Sequence, residues 1–277
     1  MIPIRDENPH FLTPYATYGL VAINVLAWFL IQGFGGEPAL SQSVCTLGLV
    51  PGELLQSVAP GTATPIGPNL ACVVTDTPSW QSLFIHMFLH GGWMHLIGNL
   101  WFLWIFGNNV EDSMGHFRFV VFYLLCGLAA AAIQMASNPT SGVPMVGASG
   151  AIGGVMGAYV LLYPRVKVHM LLWLGFYVTT FELAAMWMLG YWFVVQLIGG
   201  VGSLGATGGG VAFWAHVGGF VAGAVLVWFF KVEEYVERHR TTGGSADEMG
   251  TVHRLASAGS GLVGKQTPRQ DPADANR

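Results

Sequence analysis

Charge is what this sequence lacks. Only 9% of its 277 residues are charged, 11 Lys and Arg against 15 Asp and Glu. Soluble domains carry about 25%. So sparse a set cannot solubilise the surface of a chain this long, and the mean hydropathy of +0.53 agrees. The shortage excludes a nucleic-acid binder, a disordered chain and an ordinary cytosolic enzyme. Cysteine is scarce as well, with three residues. In excess are hydrophobic residues, at 53%, and glycine, at 38 residues. Together they point to a polytopic membrane protein whose glycines allow close helix packing.

A hydrocarbon core of about 30 Å needs roughly 20 mostly apolar residues per helix. Six stretches approach that length: Tyr15–Gln32, Trp93–Asn108, Phe117–Met135, Ala148–Tyr163, Leu183–Ile198 and Val211–Phe230. Breakers separate them. Gly91-Gly92 precede the second, and Gly107-Asn108-Asn109 with Glu111 and Asp112 end it. Asn138-Pro139, Pro164, Gly199-Gly200 and Gly208-Gly209-Gly210 mark the later breaks. The expected fold is all-α: a six-helix membrane bundle over 15–230, after an N-terminal segment 1–14 and before a tail 231–277. Beyond Thr241 the tail is rich in Gly, Ser, Ala, Asp and Pro, the composition of a disordered extension. The first stretch does not read as a cleaved signal, because Arg5 is offset by Asp6 and Glu7. The fifth could begin earlier, in Met170–Thr180, a run that also reads as an interfacial segment. Starting it after Glu182 leaves that carboxylate at the membrane boundary.

Orientation follows from the basic residues. Arg5 precedes helix 1, Arg118 lies at the helix 2–3 junction, Arg165 and Lys167 lie between helices 4 and 5, and seven more follow helix 6. The remaining loops hold none. Six spans put all of them on one side, so both termini are expected in the cytoplasm of a cell with a multi-pass inner-membrane protein. The long loop 33–92 then lies outside. There Cys45 and Cys72 can form a disulfide closing it, or remain as two thiols; the first is preferred for a loop rich in Gly and Pro. Cys126 reads as a small buried apolar residue.

Polar residues inside a bilayer are costly, so each asks for a reason. His95 and Asn99 are four apart on one face of helix 2. Ser149 opens helix 4, and His216 lies about one and a half turns into helix 6. All three helices enter from outside, so the four residues share the outer third of the membrane. Gly153 and Gly157 on helix 4, and Gly219 and Gly223 on helix 6, are spaced for close backbone approach. That contact brings the Ser149 hydroxyl within reach of the His216 imidazole. A hydroxyl needs a base to become a nucleophile, and an oxyanion needs donors. His95, Asn99 and the Ser149 backbone N–H can supply the donors. Singly each residue has a bland reading, as a cap, a packed histidine or an interhelical hydrogen bond. Their coincidence at one depth favours a site.

These residues resemble the rhomboid intramembrane serine proteases. The GxSG motif is Gly147-Ala148-Ser149-Gly150, and AHxxGxxxG runs from Ala215 to Gly223 through His216 and Gly219. HxxxN is His95 to Asn99, inside FLHGGWMHLIGNLWFLWIFGNNVED, Phe88 to Asp112. The resemblance covers about Trp80 to Phe230. It implies a dyad with Ser149 as nucleophile and His216 as general base and then acid. It implies His95, Asn99 and the Ser149 N–H as the oxyanion hole. The substrates implied are transmembrane segments of other membrane proteins in the lipid bilayer, cleaved without metal or cofactor. Two positions depart from the pattern. Ser79-Trp80-Gln81-Ser82 has no Arg where the family often has Trp-Arg. Gly153 stands where some members place a Tyr against the histidine, so His216 must be held by another group, such as a different aromatic.

Three other readings compete. His86, His90, His95 and His216 could form a metal site, but Gly91-Gly92 breaks their helical spacing and no HExxH motif is present. A non-catalytic relative that binds membrane proteins would ordinarily lack the Ser or the His. A channel would need polar groups along the whole path, whereas the inner half of this bundle is apolar.

Overall fold

The computed structural model describes residues 2–67, 70–204, 210–239 and 241. A strand β1 (Ile2–Asp6) leads into α1 (Tyr15–Leu30). The long first loop holds α2 (Ala39–Leu47), the short α3 (Pro51–Leu54), the paired strands β2 (Ala63–Gly67) and β3 (Leu70–Val73), and the short α4 (Ser82–Ile85). Three helices follow: α5 (Trp93–Met114), α6 (His116–Ser137) and α7 (Ser149–Leu162). Strands β4 (Lys167–Leu174) and β5 (Tyr177–Ala184) separate α7 from α8 (Ala185–Gly202), and α9 (Phe213–Phe230) comes last. Among the described residues α6, α8 and α9 are long and apolar enough to cross a membrane, and α1 and α7 are shorter apolar helices. The chain divides into units 1–236 and 237–277, and every element named here belongs to the first. Most of the tail expected after 231 lies outside the described residues, as do Gly208 and Gly209 of the last expected break.

The middle of the bundle is α7, buried from Gly150 to Tyr159 and packed on α5, α6, α8 and α9. Its contact with α9 is backbone on backbone. A Cβ at Gly219 would overlap the Gly150 carbonyl, and one at Gly223 the Gly154 carbonyl. Only a hydrogen on each lets the helices meet at this distance.

Cross-chain hydrogen bonds define the two ends. At one, buried Glu111 and Asp112 serve α1, whose own N-cap is Pro14 and gives no side-chain bond. The Asp112 carboxylate accepts from the Phe11 and Leu12 N–H groups at 2.6 and 2.9 Å, and Glu111 from Ala16 and Thr17 at 2.9 and 2.7 Å. Anions at a helix N-terminus satisfy its free donors and its dipole. These acids do not end α5, which continues to Met114. The Val232 N–H donates to the Ser113 carbonyl at the same end. At the other end the first loop folds onto the loop after α6. Leu49 and Met145 exchange backbone bonds of 2.9 and 2.7 Å, and Gly52 N–H donates to the Ser141 carbonyl. Cys45 and Cys72 are joined there, with Cα atoms 5.2 Å apart.

The all-α expectation needs amending. The protein is mostly helical, but β1, β4 and β5 form an antiparallel sheet in the order β1-β4-β5. The Met170–Thr180 run is not a helix start. It is most of a hairpin in which Thr, Val and aromatic residues pair across a turn at Gly175, whose φ of +64° suits a tight turn. Helix α8 accordingly starts at Ala185, after Glu182, which pairs with Lys167 at 2.9 Å.

Candidate functional site

Ser149 is the first residue of α7. The turn before it needs Gly147, whose φ is +128° and whose missing Cβ would lie 2.7 Å from the His95 ring. The Gly147 N–H is fixed by the His86 carbonyl at 2.9 Å. The serine hydroxyl lies 2.8 Å from Nε2 of His216 on α9. The close approach of α7 to α9 makes this contact possible. A side chain at Gly153 would itself lie 3.1 Å from the His216 carbonyl.

Protons on the two imidazoles can be placed from their neighbours. A Gln196 amide on α8 spans Trp192 and His216. Its Nε2 donates to the Trp192 carbonyl at 3.3 Å, so its Oε1 faces His216 Nδ1, 2.8 Å away. An amide oxygen only accepts, so Nδ1 carries the proton and Nε2 is left as the acceptor for the Ser149 hydroxyl. On His95, Nδ1 accepts from the Gly91 N–H at 3.2 Å. Its proton therefore sits on Nε2, the atom that borders Gly147 beside Ser149. Asn99 is buried on the same helix, and its Nδ2 finds no acceptor among the described residues. The Ser149 N–H belongs to the first turn of α7, where backbone donors have no intrahelical partner.

All four side chains border one cavity of about 740 Å³, set between α5, α7, α8 and α9 at the end where the first loop meets the one after α6. Its α5 wall presents Met94, Gly98 and Phe102, and Trp192 lines it from α8. The Trp192 ring lies 5.8 Å from His216, tilted by 38°.

His86 and His90 lie outside this cavity. His86 Nδ1 hydrogen-bonds the Ser82 carbonyl at 2.7 Å, and the His90 backbone is held at both N–H and carbonyl by the Gln32 amide. Burial lowers His86 to about 4; burial, helped by the neighbouring His95, lowers His90 to about 3. Both are neutral structural groups near pH 7. Among the described residues, the ligand atoms that converge within 4.8 Å belong to Glu7, His169 and Glu182, not to His86, His90, His95 and His216. That geometry gives the histidine metal site no support.

The spacing of motifs brought Ser149, His216, His95, Asn99, Gly147, Gly150, Gly219 and Gly223 into view. It missed Gln196 and Trp192. Gln196 carried a usable signal, as a lone amide in the otherwise apolar and glycine-containing α8.

A family model described as the Rhomboid domain matches residues 77–232. Rhomboid-like protein 11, chloroplastic, of Arabidopsis thaliana is 33% identical over 159 residues, covering 54% of this chain and 52% of that protein. Rhomboid protease GluP of Bacillus subtilis is 29% identical over 213 residues, covering 77% of this chain and 35% of that protein. Rhomboid protein 1, mitochondrial, of Saccharomyces cerevisiae is 25% identical over 159 residues, with 55% and 42% covered. The chain thus spans about a third to a half of the length of these relatives.

Proposed function

The chain belongs to the rhomboid family, and from that premise we propose that it is a serine endopeptidase of the cell membrane that cleaves transmembrane protein substrates through a Ser149–His216 dyad. The observation that carries this reading is the 2.8 Å contact of Ser149 Oγ with the unprotonated nitrogen of His216. In the reaction, Oγ attacks the scissile carbonyl carbon and its proton passes to His216 Nε2. The oxyanion meets His95 Nε2–H, Asn99 Nδ2–H and the Ser149 N–H. His216 then protonates the leaving amine, and an acyl ester remains on Ser149. Water attacks the ester, giving one proton to His216, which returns it to Oγ as the acid product leaves. Gln196 acts as a positioning residue that fixes the His216 tautomer. Trp192 is the different aromatic that stands in for the Tyr some family members carry at the position of Gly153.

Six crossings, α1, α5, α6, α7, α8 and α9, suit the hydrogen bonding. Segments joined by backbone bonds lie on one side of a membrane, so an even number of crossings separates them. Four helices separate β1 from β4, two separate Leu49 from Met145, and four separate Ser113 from Val232. Arg5, Arg165 and Lys167 lie on the sheet's side, which the positive-inside rule makes cytoplasmic. The cavity then opens on the opposite, extracytoplasmic side.

The test is labelling of the detergent-purified protein with a fluorophosphonate, alongside cleavage of a single-span substrate in vesicles. The wild-type chain is expected to label and cleave, and Ser149→Ala to do neither. Labelling that survives the substitution, or a folded wild-type chain that neither labels nor cleaves, overturns the dyad.

A further inference from the structure

We infer that the outer edge of β5, from Tyr177 to Phe181, is a docking edge for an extended, uncharged stretch of the transmembrane substrate, which adds to the sheet as a further strand. The inference rests on the protease reading above and concerns how that substrate is held.

The depth of the hairpin comes first. The Trp101 indole on α5 donates to the Pro3 carbonyl, and Asn109, eight residues further on, donates to the Asn8 carbonyl. β1 therefore climbs the flank of α5. Pro3 and its partner Met170 stand near the middle of that helix, about 12 Å from its outer end. Beyond Met170 the hairpin runs on toward the outer end. Phe181 pairs with Met170, and Tyr177 pairs with Leu174 nearer the tip. β5 thus rises from mid-height toward the depth of His95, which is six residues and about 9 Å above Trp101 on α5. Composition suits that depth. No residue from Leu171 to Phe181 is charged, whereas Lys167, Glu182, His169 and Glu7 pair at the root.

At this depth the backbone of β5 needs a partner. The order β1-β4-β5 leaves one side of β5 unpaired, and among the described residues no backbone group outside the hairpin bonds to Tyr177–Phe181. Lipid tails suit exposed side chains such as Trp173 and Val178. They cannot satisfy a row of free N–H and C=O groups, so an open sheet edge is not tolerated among them. Another extended backbone completes such an edge.

The substrate is the occupant that shares the need. A peptide bond inside a helix is hydrogen-bonded and shielded, so the substrate must be extended where Ser149 cuts, and an extended stretch in a bilayer carries the same free groups. Pairing with β5 satisfies both backbones. The location agrees. α5 packs on α1, α6 and α7, and α8 packs on α7 and α9. The sheet joins the two, because β1 is bonded to α5 and β5 runs into α8 at Ala185 without a linker. α5 and α8 are also walls of the cavity that holds the dyad. A strand added to β5 leads along these walls from mid-membrane up to Ser149, on the cytoplasmic side of the scissile bond.

The test is disulfide trapping in vesicles. The full chain carrying Ser149→Ala and Val178→Cys is combined with a single-span substrate that bears one cysteine at successive positions. The native cysteines do not compete, two being bonded together and Cys126 buried. Cross-links are expected at alternate substrate positions on the cytoplasmic side of the cut, the period of a strand. Moving the cysteine from Val178 to Thr180, on the same face of β5, is expected to shift the pattern by two substrate positions. A period of about 3.6 residues would mean that a helix lies there instead. Cross-links only between two copies of the chain would mean that β5 pairs with itself, and none at either site would leave the edge without a protein partner. Each of these overturns the proposal. Cleavage by the chain that keeps Ser149 and carries Val178→Cys is measured alongside. Cleavage without trapping strikes the docking edge alone. Trapping at alternate positions by a chain whose wild type neither cleaves nor labels with a fluorophosphonate supports the edge and strikes the dyad.

Discussion

Replacing Gln196 tests the proton placement at the site. In Gln196→Leu the 2.8 Å acceptor for His216 Nδ1–H is gone, and the ring is free to turn or to carry its proton on the nitrogen that should receive the serine's. A neutral hydrogen bond is worth about 0.5–1.5 kcal/mol net, and one to a charged group about 1.5–3 kcal/mol. In the proposed reaction His216 becomes charged only as it takes the serine's proton, so the larger range applies to the transition state. At about 1.4 kcal/mol per tenfold, kcat should fall roughly 10- to 100-fold. KM should hold, because Gln196 does not border the cavity. Thermal stability should hold or rise, since an apolar side chain replaces a buried amide in a membrane helix. Cleavage of a single-span substrate in vesicles, with kcat and KM separated, is the assay. A Leu variant with kcat within about twofold of wild type, or one whose loss appears in KM instead, would refute the reasoning.

Gly223→Ala drives a Cβ into the Gly154 carbonyl and should cost about 1–3 kcal/mol or more by overpacking; an unchanged melting temperature in detergent would sink that. Cys45 and Cys72 are 27 residues apart, and closing such a loop stabilises by about 3–4 kcal/mol in the chain-entropy view. Cys45→Ser should lower the melting temperature and abolish a mobility shift on a non-reducing gel, and the absence of any shift in the wild type contradicts the bond. His86 and His90, lowered from 6.5 to about 4 and about 3, are neutral when folded and protonated more readily when unfolded. Their contribution is intact above pH 6.5 and is lost as pH falls from there towards 4, by up to about 3 kcal/mol each. His90→Phe should flatten the fall in melting temperature over that window; equal slopes in both chains would argue against it.

How much of this was legible in the sequence depended on whether a residue acts through its own element or through a distant one. Ser149, His216, His95 and Asn99 stand out because polar groups are rare in apolar helices and their depth follows from counting. The glycine spacing on α7 and α9 says in advance where backbones touch. Glu111 and Asp112 read as a helix stop because acids often end a span, yet they cap α1 from about a hundred residues away, which no local rule contains. The β4–β5 hairpin reads as an apolar run because its strands are apolar on both faces near the tip, so the period-2 alternation that betrays a strand is missing. Gln196 showed as a lone amide, but the uncertain start of α8 left its facing undefined.

The same scarcity of charge explains the choice of an amide behind His216. A carboxylate held among α7, α8 and α9 would have to be stripped of water, at a cost of several kcal/mol that its attraction to an imidazole repays only in good geometry. In the proposed reaction it would also repel the oxyanion beside Ser149. An amide avoids both penalties and still orients the ring, because its nitrogen is engaged by the Trp192 carbonyl one turn earlier on the same helix. That bond makes the orientation of the amide a property of α8 alone, set before any substrate arrives. A carboxylate, with two equivalent oxygens, would need a second donor to be fixed in the same way. The site thus keeps the tautomer control that an acid usually supplies, using a group the membrane tolerates.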